Sequence, residues 1–395
     1  MIPLIRQVQI RNYKSIAQLT VNLENFTALV GRNGTGKSNF IEALEFVKNC
    51  LFYSIEVAFM EKGGIGAVRR RSAGHPTDIE ISLIIDFPNN ASAYYSFKIA
   101  AKFGKEFMVS HEKCKVKGFF EEKEHEFETK DGKFIKEITG IRPKVSSDRL
   151  MLYAASALDE YRPVFDFLTS MRFYSIIPDE LREIQKSGRE DYYLNHDGSN
   201  AASILKRLQR DDQSSWRYER ICNLLSKVVQ GLKKVESHSV GQLEGIQFKQ
   251  DVGTKHPWIF EALNMSDGTL RILGLLLAIY QPGIHSVIAI EEPEATVHPG
   301  ITELIIEVLM NASMDRQIII TTHSPDILDY KYLQDSQIRL VTMKDFRTII
   351  TSLSPSNREA IRGHLYTAGE LLRLDELTPD IEAGKNASKQ LKISF

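Results

Sequence analysis

Residues 31 to 38 read Gly31-Arg32-Asn33-Gly34-Thr35-Gly36-Lys37-Ser38, a complete Gly-x-x-x-x-Gly-Lys-Ser sequence, and its flanks constrain the fold more than any other feature of the chain. The apolar run Phe26 to Val30 has the pattern of a buried strand, and Asn39 to Lys48 carries apolar residues at helical spacing. A strand that hands a glycine-rich turn to a helix is a unit of an α/β fold. Glycines let the backbone turn its amides inward, and the first turn of the helix adds partial positive charge, so the loop suits a polyphosphate. Lys37 would reach the β and γ phosphates, and Ser38 would place its hydroxyl on Mg²⁺. The expected ligand is a nucleoside triphosphate.

At 395 residues the chain can bury a large core, as two domains or one elaborated domain. Windows such as Ile272 to Ile279 are far shorter than the ~20 apolar residues a bilayer needs, and the N-terminus lacks a signal-peptide pattern. Cys50, Cys114 and Cys222 stand far apart with no metal-ligand spacing, which fits core thiols in a reducing cytoplasm. A cytoplasmic protein without a membrane partner is the expectation. The net charge of -1 supplies no global attraction to nucleic acid, so any DNA contact needs a local basic patch.

Ser286-Val287-Ile288-Ala289-Ile290-Glu291-Glu292-Pro293-Glu294 is an apolar strand that ends in carboxylates, as a metal-plus-water site requires. Glu291 is the candidate Mg²⁺ ligand, and Glu292 the candidate general base for an attacking water. A second buried strand, Gln317 to Thr322, leads to His323, which is either a γ-phosphate sensor or a capping or core histidine. Upstream, Met265-Ser266-Asp267-Gly268-Thr269 opens the helix Leu270 to Ile279; Ser266 is either an N-cap or part of an anion-receiving turn.

Together these motifs resemble the ABC-type ATPases of the RecF, SMC and OLD-like group. The resemblance includes the opening Ile5-Arg6-Gln7-Val8-Gln9-Ile10-Arg11-Asn12-Tyr13-Lys14-Ser15-Ile16 and the Val297-His298-Pro299 stretch, at the place of the D-loop. It implies a P-loop NTPase fold with an ABC-type ATPase head, a β subdomain, an inserted helical lobe and no long coiled coil. It also implies ATP and Mg²⁺ as cofactors, held by Gly31, Arg32, Asn33, Gly34, Thr35, Gly36, Lys37, Ser38 and Asn39. Lys37, Glu292 and His323 are the implied catalytic set, with Ser38 and Glu291 on the metal. Two subunits would close head to tail around ATP, so that Ser266, Asp267 and Gly268 of one copy complete the site of the other. Glu291 in place of the commoner Asp, and Asp267-Gly268-Thr269 in place of Gly-Gly-Gln, both point to the OLD-like branch.

The expected organisation is an N-terminal lobe over 1–150 with the phosphate loop and β subdomain, and a helical lobe over 151–260. The signature, acidic strand end and switch histidine occupy 261–345, and a C-terminal segment with a disordered end covers 346–395. Alternating patterns predict antiparallel strands at Asp78 to Phe87, Tyr94 to Phe103 and within Glu112 to Glu137. Helices are predicted over Tyr153 to Met171, Ala201 to Leu208 and Ser215 to Lys234. Basic residues cluster at Arg69-Arg70-Arg71, on a loop expected to be mobile, at Lys206, Arg207, Arg210 and Arg217, and at Lys233-Lys234; these are either solvated surface or a DNA contact. Arg32 and Lys14 are further candidates for touching the nucleotide.

The ending Gly363 to Leu377 is similar to that of phage-defence ATPase heads of the AriA and OLD kind, which implies a switch that controls a nuclease or toxin effector. About seventy residues follow His323, too few for a fused nuclease domain, so the effector is expected to be a separate protein. The alternative is a RecF-like ATPase of DNA repair or recombination. A transporter motor is the weaker third, because 228 positions separate Lys37 from Met265, where transporter ATPases are shorter.

Overall fold

Burial separates two kinds of strand. Phe26–Val30 is buried along its whole length, as a strand covered on both faces must be, whereas Phe107–Lys117 ends in a strict alternation of buried and accessible residues. The computed structural model describes residues 2–70, 78–101, 107–119, 123–136, 144, 148–186, 192–211 and 215–382. Its chain forms two units.

The first unit comprises Met1–Arg172, His285–Val287 and Ser313–Phe395. One of its layers is a seven-stranded antiparallel sheet in the order Ile16–Asn22, Leu4–Tyr13, Ile79–Asp86, Ser92–Ala101, Phe107–Lys117, Glu124–Lys130, Lys133–Lys136. The strands expected between residues 78 and 137 are therefore present, with the turn at Asp131-Gly132 carrying positive φ at both residues; Phe103 and Glu137 lie outside the described residues. Four more strands run Arg347–Thr351, Ile338–Lys344, Phe26–Val30, Gln317–Thr322, and the last three are parallel. The buried Gln317 side chain ties the two sheets of this unit: it accepts from the Ile5 amide at 2.9 Å and donates to the carbonyls of Ile5 (2.9 Å) and Glu24 (3.0 Å). A buried amide with three partners meets its hydrogen-bonding need without water. The 16-residue helix Lys37–Phe52 packs against Ile55–Glu61 and Arg162–Thr169 and is the longest helix among the described residues. No helix among them is long and apolar enough to cross a membrane.

The second unit comprises Phe173–Ile284 and Ile288–Ala312. The helix Asp267–Tyr280 is apolar almost all round, with Thr269, Leu270 and an unbroken run from Ile272 to Ile279 buried, the signature of a central helix. Pro178–Arg182, Ala201–Arg210, Ser215–Ser226 and Pro299–Ala312 pack around it. Gly274 permits a close approach, since a Cβ there would lie 2.6 Å from Ile176 Cγ2. A small sheet adjoins these helices: Leu243–Gln250 pairs with Leu232–Val240 on one side, and with Gln185–Lys186 and Trp258–Glu261 on the other.

Two expected helices are corrected. Tyr153 to Met171 is broken into Met151–Ala155 and Arg162–Thr169, joined by turns through Ser156 to Tyr161. Pro163 explains the break: it lacks an amide hydrogen and sits in the first turn of the second helix, where none is needed. Ser215 to Lys234 stops being helical at Ser226, and Leu232 begins a strand. Gly231, at φ 76, makes the turn between them, and a Cβ there would meet the Asp251 carbonyl oxygen at 2.4 Å. Lys233 and Lys234 are thus strand residues. The three cysteines are free and buried, as expected. The tail expected to be disordered lies, from 383 onward, outside the described residues.

Candidate functional site

Gly31 leaves the strand Phe26–Val30 at the carboxyl end of the parallel strands, where loops of open α/β sheets collect ligands. Its amide donates to the Thr322 carbonyl at 3.3 Å, and a Cβ at this position would lie 2.2 Å from the Val341 carbonyl oxygen. Gly34 (φ 78) and Gly36 (φ 101) then turn the chain through conformations that glycine alone adopts without cost. Gly36 is the N-cap of the helix Lys37–Phe52 and supplies no side-chain hydrogen bond, so no N-cap side chain claims the first-turn amides.

Lys37 is 6% exposed, and its ammonium donates to the carbonyls of Gly31 at 2.7 Å and Arg32 at 3.2 Å, which folds it over the loop. Thr35 Oγ1 closes the turn on the Arg32 carbonyl at 2.9 Å. Arg32, Asn33, Gly34 and Ser38 are exposed. Amides, an ammonium and a hydroxyl are donors and metal ligands suited to a magnesium polyphosphate, and the loop fits that group.

Three neighbouring side chains point elsewhere. Asn39 donates its amide to Ser15 Oγ at 2.6 Å. Lys14 pairs with Glu42. Arg32 meets Asp375 at 2.9 Å, with both side chains about four-fifths exposed; such a pair is worth under ~1 kcal/mol and yields easily to another anion.

His323 follows the strand Gln317–Thr322, whose Thr322 lies opposite Val30 in the ladder. The capping role next to it belongs to Ser324, whose Oγ accepts from the Asp326 amide at 3.2 Å. His323 is exposed, so it is not a core residue.

In the second unit, Ser266 is the N-cap of Asp267–Tyr280 and accepts from the Thr269 amide at 3.3 Å. Ser266 is thus an N-cap within its own chain. Asp267 pairs with Arg182, whose guanidinium also reaches the Met265 carbonyl at 3.2 Å. Gly268 lets the turn come close to Thr296: a Cβ would lie 3.0 Å from its carbonyl oxygen.

Glu291 ends the strand Val287–Glu291, and Glu292 takes a left-handed φ of 43. A non-glycine residue there stores strain of about 1–3 kcal/mol and needs surroundings that hold it. Arg271 supplies part of that hold by donating to the Glu292 carbonyl at 2.9 Å and to the Ile176 carbonyl at 2.5 Å. Burial pulls the Arg271 pKa below its ordinary value, and Glu294 and Glu292 oppose this. No role was expected for Arg271, although one guanidinium in the otherwise apolar run Leu270-Arg271-Ile272-Leu273 was a visible signal.

Several of the basic residues read as candidate DNA contacts are engaged within the protein, some through the backbone and some through the side chain. The Arg69 backbone pairs with that of Tyr13 in an isolated β-bridge, the Arg70 amide donates to Asn12 O at 3.0 Å, and the Arg70 guanidinium donates to Ser15 O at 2.8 Å and Phe346 O at 3.2 Å. The mobile loop expected there is corrected for these two residues, because backbone and guanidinium bonds hold them; Arg71 lies outside the described residues. Lys206 pairs with Glu244, Arg217 donates to Gln281 O at 2.8 Å, Arg207 lies over Tyr192 and Lys233 pairs with Asp251.

No curated protein matches the chain. Among solved structures, an SMC head bound to the C-winged helix domain of ScpA is 13% identical and covers 89% of this chain and 98% of its own, with a TM-score of 0.54. The SMC head domain from Thermotoga maritima is 14% identical over 88% of this chain and 98% of its own, with a TM-score of 0.47. An Smc head domain from Pyrococcus furiosus, with an extended coiled coil and bound to the C-terminal domain of ScpA, is 12% identical over 92% and 100%, with a TM-score of 0.49. The first likeness is one of fold: that of a P-loop ATPase head. A family model described as "AAA domain, putative AbiEii toxin, Type IV TA system" matches residues 26–329. That span holds the phosphate loop, the acidic strand end and His323, and the chain belongs to this AAA-domain family.

Proposed function

We propose that this protein binds ATP with Mg²⁺ at residues 31–38, hydrolyses it slowly, and pairs with a second copy in the ATP-loaded state as a switch in anti-phage defence. The switch would control a separate effector, a nuclease or a toxin. The observation that supports ATP binding is the loop itself: positive-φ glycines, a helix start without a capping side chain, and Lys37 held over the turn. Lys37 and Ser38 take the phosphate and metal roles, Glu291 the metal, and Glu292 the attacking water. His323 reads the γ phosphate, and Ser266, Asp267 and Gly268 serve the partner copy's nucleotide. The metal ion, when bound, supplies neutralisation of the phosphate charge. The words "putative AbiEii toxin, Type IV TA system" in the family's description support a defence setting. A RecF-like role in DNA repair ranks second, because it needs a basic surface and the candidate cations Arg70, Lys206 and Arg217 are tied to protein partners.

Nucleotide titration and single-turnover hydrolysis test the proposal. Lys37→Ala should bind MgATP too weakly to measure. Glu292→Gln should bind like the parent while turnover falls by about 10²–10⁴-fold, the range for a lost general base. Parental turnover in Glu292→Gln would remove Glu292 as the base, and parental affinity in Lys37→Ala would remove the site.

A further inference from the structure

Behind the phosphate loop, two hydroxyls form a hydrogen-bond relay with a single consistent direction. Asn39 Nδ2 donates to Ser15 Oγ at 2.6 Å, Ser15 Oγ lies 2.6 Å from Thr348 Oγ1, and Thr348 Oγ1 donates to the Thr35 carbonyl at 2.9 Å. The amide nitrogen at one end has only protons to give, and the carbonyl at the other has only lone pairs. A hydroxyl carries one proton, and that of Thr348 is committed to Thr35. The Ser15 proton therefore goes to Thr348, and the relay runs Asn39, Ser15, Thr348, Thr35.

The backbone holds this relay in place. Thr348 is 2% exposed, and its amide donates to the Ser15 carbonyl at 3.2 Å. Arg70 fastens the same corner by bonding Ser15 O at 2.8 Å and Phe346 O at 3.2 Å. Gly36 lets the wall come this close, since a Cβ there would lie 2.0 Å from Thr348 Oγ1 and 2.9 Å from Ser15 Oγ. The Thr35–Gly36 peptide is planar and trans, so its C=O and N–H point in opposite directions. Holding the Thr35 carbonyl on Thr348 thus turns the Gly36 amide away from the wall, toward the other side of the loop.

We propose that Thr348, supported by Ser15, is a positioning residue for nucleotide binding: its hydroxyl aims the Gly36 amide at a phosphate before the nucleotide arrives. A donor oriented in advance costs no ordering at the moment of binding. The inference rests on reading residues 31–38 as the ATP phosphate site.

The test compares MgATP and MgADP affinities, by calorimetry, in the parent, Thr348→Val, Thr348→Ser, Ser15→Ala and the Thr348→Val/Ser15→Ala double variant. Valine keeps the volume and loses the hydroxyl. Thr348→Val should bind both nucleotides about tenfold more weakly, the scale of one lost hydrogen bond. Thr348→Ser should stay within about twofold of the parent, and Ser15→Ala should fall between them. The double variant should bind no more weakly than Thr348→Val alone, because Ser15 acts through Thr348. Turnover at saturating ATP should change little, which separates positioning from a general loss of structure.

Parental affinity in Thr348→Val overturns the proposal, as does a Thr348→Ser variant as weak as the valine. If the valine variant does not fold, Ser15→Ala decides, and parental affinity there overturns it. A parent that binds no nucleotide refutes the phosphate-site reading instead.

Discussion

Gly34 and Gly36 share a positive φ and differ in their surroundings. At Gly34 nothing lies within 4 Å of the place a Cβ would take, whereas at Gly36 Thr348 Oγ1 is 2.0 Å away. Gly34→Ala should therefore cost only its left-handed backbone, about 1–2 kcal/mol. Gly36→Ala adds a collision that must move Thr348 or the loop. Urea unfolding should show at least about twice the loss in Gly36→Ala that it shows in Gly34→Ala; equal losses would mean that the wall behind the loop is soft. Both glycines were legible as loop residues, because the motif is contiguous. Their different burdens were not, because Thr348 lies 312 positions beyond Gly36. Asn39 shows the same limit: its place after Ser38 marked it for the nucleotide, while its side chain bonds Ser15.

Between elements, a buried carboxyl couples a helix to the antiparallel sheet of the first unit. Glu112, on the strand Phe107–Lys117, accepts from the Leu152 amide at 2.8 Å, the Met151 amide and the Tyr95 hydroxyl at 3.0 Å, and so pins the start of the helix Met151–Ala155 to the sheet. Complete burial pushes its pKa up to about 7, and the three hydrogen bonds only partly oppose this. The folded pKa lies above the ordinary value of 4.5, so the folded state holds the proton more tightly than the unfolded chain does. Stability from this group is complete below about pH 4.5, falls as pH rises, and is gone above about pH 7. The loss should be on the order of a few kcal/mol in the parent. Glu112→Gln should flatten that part of the stability–pH curve, measured by urea unfolding from pH 5 to pH 8. An unchanged slope would show that Glu112 keeps an ordinary pKa. In the sequence, Glu112 looked like one more charge in a charged meander; only stacking the helix start on the sheet turned it into a core residue.

For the whole molecule, the decisive question is assembly. Glu292→Gln loaded with MgATP should double its mass in solution, and its melting temperature should rise with protein concentration, as linkage requires of a folded dimer. The nucleotide-free protein should show neither effect. A loaded sample that remains monomeric would remove the pairing while leaving nucleotide binding intact. Ser266 and Gly268 offer a second readout: the cap at Ser266 and the close approach of Gly268 to Thr296 keep the turn rigid within one copy. Gly268→Ala should therefore weaken pairing more than nucleotide binding.

The α/β class, the phosphate loop and the strand ends at Glu291 and His323 were determined by the sequence, because phosphate and metal chemistry is written in short contiguous runs whose flanks obey local helix and strand periodicity. The strand Leu232–Val240 in place of the end of a helix, the Gln317 tie, the Glu112 latch, the Arg271 hold on Glu292 and the Thr348 relay were decided by the tertiary structure. Each depends on groups brought together across a fold, where a buried polar atom must find its partner in whatever element packing places beside it.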